Sequence, residues 1–253
     1  MKKVLAFDID ETLNVAKTPM TTEMAETLAE CMDYFQVCAI SGQKFDQFLR
    51  QLVEPMGQAG TPERLANFHL MVAQGTQYYR FDIDKNDWEL VYSHPLTDEE
   101  VAQMTAALET ASKQTGNWHD NPAGEIIENR ISLVAFSALG QAATPEDKYA
   151  WDPDMEKRKS IVAIAQKLAP QFEFEIGGTT TINVCRPGTN KVFGMTGLME
   201  QLNVTKEDIL YFGDMVQPGG NDYPVVQMGI DTIAVKKWQD TLFALRGILG
   251  VSK

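Results

Sequence analysis

The sequence predicts a two-domain α/β protein in which an inserted α+β domain interrupts a core built on a parallel sheet. Buried apolar runs alternate with amphipathic helices at the start of the chain, and the same alternation returns at its end. Between them, helices alternate with paired strands. Strand, helix and strand in succession imply parallel strands joined by helical crossovers. We therefore expect a Rossmann-like core at residues 1–92 and 187–253, with the insert at 93–186.

The first half of the core contains three apolar strands, predicted at KKVLAFDI, QVCAIS and FHLMVAQ. The segment TTEMAETLAECMDYF places apolar residues at helical spacing behind Thr21 or Thr22 as an N-cap, and KFDQFLRQLV predicts the next helix. In TQYYRFDIDKNDWELVY, apolar and polar residues alternate on either side of DKND. This alternation predicts a β-hairpin.

The insert combines two helices with short strands. The helices are predicted at TDEEVAQMTAALETASKQ and PDMEKRKSIVAIAQKL, and the strands at EIIENR, ISLVAFS, FEFEI and TTTINVCR. After Pro187 the alternation of helices and apolar strands returns, with a helix at VFGMTGLMEQL, strands at ILYFGD and DTIAVK, and a last helix at TLFALRGIL. The two outer parts are therefore expected to form one core.

Composition excludes several classes of function. The formal charge of -13 and the sequence pI near 4.7 argue against a nucleic-acid binder that uses a basic face. The three cysteines lack paired spacing, so neither a disulfide framework nor a zinc site is predicted and we expect a cytoplasmic protein. No apolar run approaches the roughly 18 residues that span a bilayer, and MKKVLAFDID is interpreted as a strand and not a signal peptide. We expect a soluble protein with no membrane partner.

Two aspartates, Asp8 and Asp10, stand where the first strand ends. Ligands of open α/β sheets bind beyond the carboxyl ends of the strands, so this position favours a functional role, although aspartates also begin turns and cap helices. Carboxylates this close repel each other, and burial would push at least one toward its protonated form. A positive partner is therefore expected beside them.

Similar features follow other strands. Ser41-Gly42 ends the second strand and offers a hydroxyl and free amides to phosphate oxygens, although Ser-Gly alone also fits a simple turn. Lys191 opens a helix and could neutralise a phosphoryl group. Gly213-Asp214 ends a later strand, and a glycine-rich turn returns Asn221 and Asp222 toward it. Together, Asp8, Asp10 and Asp214 form a set of hard oxygen ligands that suits Mg²⁺, with Asn221 and Asp222 behind them.

These residues predict phosphoryl-transfer chemistry. Asp8 would attack phosphorus while Mg²⁺ and Lys191 neutralise the developing charge, and Asp10 would protonate the leaving oxygen. Ser41, Gly42 and Lys191 would hold the phosphate.

The motifs D8-x-D-x-T12, S41-G42, Lys191 and G213-D214 with G220-N221-D222 resemble, in this order, the four motifs of the haloacid dehalogenase superfamily. The resemblance implies a Mg²⁺-dependent enzyme that works through an aspartyl-phosphate, and a long insert of the C2 cap type. Within that class, IENRISLVAFSALGQ, FEIGGTTTINV and FGDMVQPGGND resemble eukaryotic-type phosphomannomutases.

The chain departs from this family where the sugar phosphate would be held. Arg130 matches a family arginine, but Lys17 and Lys148 stand where arginines are expected and Gln141 replaces another. Thr181 and Asn183 stand where the family resemblance implies a serine and an aspartate in contact with the sugar hydroxyls. Lysine lacks the bidentate fork of arginine, and glutamine carries no charge. Glu11 replaces the family glycine and adds negative charge beside the site.

We therefore expect a phosphatase that acts on a small phosphorylated metabolite, with a sugar phosphate as the leading candidate. A phosphomutase must rebind its intermediate in the opposite orientation, which demands a stronger hold on phosphate than this insert offers. Two alternatives stay open, phosphomannomutase activity and a catalytically silent binding protein of the same fold. A homodimer formed through the insert is also left open.

Overall fold

The computed structural model describes residues 2–252, which form two compact units. The first unit contains the residues up to Ser93, Asn190–Pro218 and the residues from Asp222 onward. The second contains His94–Thr189 and Gly219–Asn221. Each unit has its own sheet and its own hydrophobic core.

Eleven strands are found in the described part of the chain, in two sheets. They are β1 (Val4–Phe7), β2 (Gln36–Ile40), β3 (Phe68–Val72), β4 (Gln77–Asp82), β5 (Asp87–Ser93), β6 (Ile127–Asn129), β7 (Val134–Ser137), β8 (Glu173–Gly177), β9 (Thr181–Cys185), β10 (Ile209–Gly213) and β11 (Asp231–Ala234).

Ten α-helices accompany them between residues 2 and 252. They are α1 (Thr22–Cys31), α2 (Phe45–Phe48), α3 (Glu54–Ala59), α4 (Pro62–Leu65), α5 (Asp98–Gln114), α6 (Pro145–Trp151), α7 (Glu156–Leu168), α8 (Lys191–Leu202), α9 (Tyr223–Gln227) and α10 (Trp238–Ser252).

The sheet of the first unit has the order β11-β10-β1-β2-β3-β4-β5. From β11 to β3 the neighbouring strands pair in parallel, and β4 and β5 add an antiparallel hairpin at one edge. All four residues of β1 and all five of β3 are buried. Continuous apolar runs of this kind are typical of parallel strands that are covered on both faces.

The second unit is built on the antiparallel sheet β6-β7-β9-β8. Its core joins side chains of α5 and α7 to those of β7 and β9, among them Leu108, Ile161, Phe136 and Val184. A capping box starts α5, because Thr97 Oγ1 accepts from the Glu100 N–H at 3.2 Å and Glu100 Oε2 accepts from the Thr97 N–H at 2.7 Å.

The α/β fold class predicted from the sequence is confirmed, and the predicted strands and the DKND hairpin are found. Thr21, not Thr22, caps α1 by accepting from the Met24 N–H. Helix α6 was not predicted, although Thr144-Pro145 is a typical start, because PEDKYAW carries little apolar periodicity. The helix predicted at KFDQFLRQLV passes through a π-helical turn at Leu49–Val53 and continues into α3.

Cys31, Cys38 and Cys185 are buried free thiols, and burial raises the pKa of each. Within residues 2–252, no helix has both the length and the apolar character that a bilayer crossing requires.

Candidate active site

Parallel pairing brings the predicted site residues of the first unit to one edge of its sheet. Phe7 lies opposite Ala39 of β2 and Phe212 of β10, so the three strands end at nearly the same level. Asp8, Ser41 and Asp214 follow these ends within two residues, and the Asp8 N–H donates to the Phe212 carbonyl at 2.9 Å. The carboxyl edge of the sheet therefore gathers side chains that are far apart in sequence.

Three carboxylates meet at this edge. Asp8, Asp214 and Asp222 each place one oxygen within 4.8 Å of the others. Burial raises the pKa of Asp8 well above its usual value, although the nearby Lys191 charge lowers it. Burial is the main cause that raises the pKa of Asp214 to about 7, and repulsion from Asp222 is the next largest. The cluster carries more negative charge than its surroundings stabilise.

Lys191 forms ion pairs with two of these carboxylates. Its Nζ lies 2.5 Å from Asp8 Oδ1 and 2.5 Å from Asp222 Oδ1, and the side chain is fully buried. Burial alone would lower the pKa of Lys191, but the attraction of Asp222 and Asp8 outweighs it and raises that pKa. The ammonium of Lys191 therefore stays charged between these two carboxylates.

Two features hold Lys191 at the first position of α8. The Asn190 side chain caps the helix by accepting from the Val192 N–H at 2.9 Å. Two glycines then allow a close approach behind the lysine, since a Cβ on Gly75 would lie 2.1 Å from Gly194 Cα. Any larger side chain at Gly75 would push α8 away from the sheet.

Tyr211 completes the contacts of Lys191, and the sequence did not single it out. Its hydroxyl donates to Asp222 Oδ1 at 2.5 Å and accepts from Lys191 Nζ at 3.1 Å. Burial raises the pKa of Tyr211, so the phenol keeps the proton that it donates. The Met215 N–H donates to Asp222 Oδ2 at 3.0 Å, which means that both oxygens of Asp222 are held. A tyrosine in a buried apolar strand was the available signal, because its hydroxyl needs a partner.

The Asp10 carboxylate is not one of the three that meet. Its Oδ1 accepts from the Lys17 N–H at 2.9 Å and from Gln43 Nε2 at 3.0 Å. Burial raises the pKa of Asp10, against the effect of these hydrogen bonds. The Lys17 group that donates to Asp10 is the backbone N–H, and Lys17 adopts a left-handed φ of 61°. Glu11 also has a left-handed φ, of 63°, and its carboxylate accepts from the Ala16 N–H at 3.1 Å.

Ser41 and Gly42 form the buried turn after β2. The Ser41 N–H donates to the Met71 carbonyl at 3.2 Å, and the Ser41 carbonyl accepts from the Gln74 N–H at 2.9 Å. This turn is therefore fixed to the end of β3 by its backbone.

The second unit brings together three of the residues predicted to bind substrate. Arg130 Nη2 lies 3.5 Å from Gln141 Oε1, and Lys148 Nζ donates to the Gln141 carbonyl at 2.9 Å. Arg130 also pairs with Glu128 at 2.8 Å, and both Arg130 and Lys148 are buried. One uncharged glutamine thus stands between two cations.

Thr181 and Asn183 lie on β9, beside β7. Asn183 is buried, and its Oδ1 has no hydrogen-bond partner among the described residues. Asn221 belongs by its contacts to the second unit, whereas the adjacent Asp222 belongs to the first.

The chain is similar in sequence to phosphomannomutases over most of its length. The sequence model described as eukaryotic phosphomannomutase matches residues 24–250. A probable phosphomannomutase of Caenorhabditis elegans is 21% identical over 234 residues, which cover 88% of this chain and 86% of that protein. Phosphomannomutase 2 of Dictyostelium discoideum is 24% identical over 227 residues, with 88% and 86% covered.

Solved structures share the fold. An N-terminally truncated IMP-nucleotidase of Plasmodium falciparum superimposes with a TM-score of 0.72 at 16% identity, covering 98% of this chain and 70% of that one. A haloacid dehalogenase-like hydrolase of Bacteroides thetaiotaomicron gives a TM-score of 0.61 at 13% identity, with 98% and 100% covered.

Proposed function

We propose that this chain, which belongs to the eukaryotic phosphomannomutase family, is a phosphatase of a small phosphorylated metabolite, with a sugar phosphate as the expected substrate. The resemblance to the haloacid dehalogenase superfamily is confirmed. The chain is an enzyme of phosphoryl transfer, either a phosphohydrolase or a phosphomutase. This family and fold argue against the alternative of a silent binding protein.

The observation that carries the proposal is the buried contact between Lys191 and Asp8. In the first step, an Asp8 oxygen forms a bond to phosphorus, the bond to the leaving oxygen breaks, and that oxygen takes a proton from Asp10. In the second step, water attacks phosphorus, its proton passes to Asp10, and inorganic phosphate leaves Asp8. Lys191 stabilises the carboxylate form of Asp8 and the negative charge of the phosphoryl group.

The acidic cluster fits a divalent cation. When all three groups are ionised, Asp8, Asp214 and Asp222 place three negative charges against the single positive charge of Lys191, which leaves a net charge of two negatives. Oxygen ligands of this kind suit Mg²⁺. Burial is the main cause of the raised pKa values of Asp8 and Asp214, and a bound cation would stabilise their ionised forms. Asp8 and Asp214 would hold the ion, with Asp222 behind them bound to Lys191. When bound, Mg²⁺ supplies Lewis-acid stabilisation of phosphate charge.

We propose that the second unit, as a cap domain, recognises the remainder of the substrate. Arg130 is already paired with Glu128, and Lys148 donates to a backbone carbonyl of Gln141. The side chain between them, Gln141, is neutral. A mutase must hold a second phosphate here, so this neutral position supports hydrolysis as the main reaction. Thr181 and Asn183 are proposed to meet hydroxyl groups of the substrate.

Phosphomannomutase activity is the second candidate, and the family match supports it. Two assays distinguish phosphatase from mutase activity. One measures phosphate release from a panel of sugar phosphates with Mg²⁺, and the other measures conversion of mannose 1-phosphate to mannose 6-phosphate, each with and without a sugar bisphosphate. We expect phosphate release to exceed conversion. Efficient bisphosphate-activated conversion with little phosphate released would establish the mutase instead. A cytoplasmic location and a homodimer formed through the cap stay predictions.

A further inference from the structure

Gln43, directly after Ser41-Gly42, contacts the predicted general acid. Its side chain is 4% exposed, and Nε2 donates to Asp10 Oδ1 at 3.0 Å. The Lys17 N–H donates to the same oxygen at 2.9 Å. Two donors therefore converge on one oxygen of Asp10, from two separate segments of the chain.

The position of Gln43 is fixed through its backbone as well. Its carbonyl accepts from the Ala73 N–H at 3.1 Å, in the turn where Ala73, Gln74 and Gly75 have left-handed φ values of 49°, 62° and 84°. The Lys17 N–H also donates to Asp10 Oδ1, so this oxygen is an acceptor and the amide nitrogen of Gln43 is the end that faces it. The contact is thus determined both by the chain path and by the chemistry of the pair.

The other end of the Gln43 amide argues against a purely structural role. Oε1 is buried and has no hydrogen-bond partner in the described part of the chain. A buried acceptor that lacks a partner lowers stability, and such costs are found mainly where function requires them. Methionine has a similar shape and carries no polar atom of this kind, so it would remove the unpaired oxygen.

We propose that Gln43 is a positioning residue for proton transfer by Asp10. This inference rests on the proposed function. Because Oδ1 already accepts from Gln43 and Lys17, the proton that Asp10 gives to the leaving oxygen resides on Oδ2. When the bond from phosphorus to the leaving oxygen breaks, that proton passes from Oδ2 to this oxygen, and Asp10 becomes a carboxylate. Without the Gln43 donor the carboxyl can rotate, and the proton is no longer held toward one direction.

The test compares two aryl esters of nearly the same shape, phenyl phosphate and p-nitrophenyl phosphate, in the wild type and Gln43→Met. Nitrophenolate is a far more stable anion than phenolate and leaves without help from an acid. The quantity measured is kcat/KM, which reports formation of the aspartyl-phosphate and not its breakdown. We expect Gln43→Met to lose about tenfold or more in kcat/KM on phenyl phosphate and less than about threefold on p-nitrophenyl phosphate.

Two further variants complete the experiment. Gln43→Leu also lacks the donor and adds no charge or titratable group beside Asp10, so it should show the same selective loss. Gln36→Met removes a half-buried amide at the other end of β2, where Gln36 pairs with Asn67 and His69, and it should leave the ratio between the two esters unchanged. The melting temperature of Gln43→Met should equal or exceed that of the wild type.

Equal losses on both esters, or no loss on either, would overturn the role of Gln43 while the proposed function stands. If the wild type releases phosphate from neither ester nor from any sugar phosphate, the proposed function itself fails and the inference fails with it.

Discussion

Replacing Tyr211 by phenylalanine removes one hydroxyl from the network around Lys191 and leaves the ring in place. That hydroxyl donates to Asp222 Oδ1 at 2.5 Å and accepts from Lys191 Nζ at 3.1 Å. A hydrogen bond to a charged group contributes about 1.5 to 3 kcal/mol. Asp222 keeps its bonds to Lys191 and to the Met215 N–H, so neither carboxylate oxygen is left without a donor. We therefore expect a loss of about 1.5 to 2 kcal/mol in the free energy of unfolding.

Urea unfolding of the Tyr211→Phe variant measures this loss, and at about 2 to 4 °C per kcal/mol the melting temperature should fall by about 3 to 8 °C. Tyr92→Phe is the matched control, because the Tyr92 hydroxyl donates to a neutral acceptor, the Gly75 carbonyl, at 3.0 Å. The control should lose only about 0.5 to 1.5 kcal/mol. If Tyr211→Phe were no more destabilising than Tyr92→Phe, the hydroxyl would not be supporting a charged network.

Three other predictions concern charge. Asp214 has a pKa of about 7 in the folded protein, above its ordinary value, so folding binds a proton there. The stability that protonated Asp214 contributes is therefore lost as the pH rises from about 4 to about 7. In EDTA, the stability of Asp214→Asn relative to the wild type should therefore increase across that window; a constant difference would contradict the shift. Asp214→Ala should raise the Mg²⁺ concentration needed for half-maximal phosphate release, and unchanged metal dependence would remove Asp214 from the metal site. Gln141→Arg adds one charge-assisted contact, so the variant should bind a sugar bisphosphate about ten- to a hundredfold more tightly, measured by calorimetry. It should also raise the ratio of transfer to hydrolysis, measured by product analysis. Unchanged affinity would argue against a phosphate at this position.

The sequence predicted the edge of the sheet where the site lies, because the carboxyl ends of parallel strands coincide. Asp8, Ser41 and Asp214 each follow an apolar run that reads as a buried strand, and the observed register aligns those three runs. Lys191 was placed by its position at the start of a helix. The order of the parallel strands brings these residues together, and continuous apolar runs predict the strands of a sheet that is covered on both faces.

Individual contacts were beyond the sequence because they depend on side-chain directions. The metal set of Asp8, Asp10 and Asp214 stays a prediction, and the structure adds that the carboxylate of Asp222 lies beside those of Asp8 and Asp214. Asp10 lies only two residues beyond Asp8, but the turn after β1 carries its carboxylate to Lys17 and Gln43. Gln43 and Tyr211 belong to no chemical motif of their own, and their roles depend on the atoms that the fold places beside them.

The proposed two-step reaction requires that Asp8 carries the phosphoryl group between the steps. It is tested most directly by quenching the working enzyme in acid during turnover of a phosphate ester, digesting it and mapping the phosphorylated peptide. We expect a phosphoryl group on the peptide that contains Asp8, removable by hydroxylamine, and absent from an Asp8→Asn variant that folds normally and has lost nearly all turnover. An Asp8→Asn variant that keeps substantial phosphate release, with no phosphorylated peptide in the wild type, would contradict it.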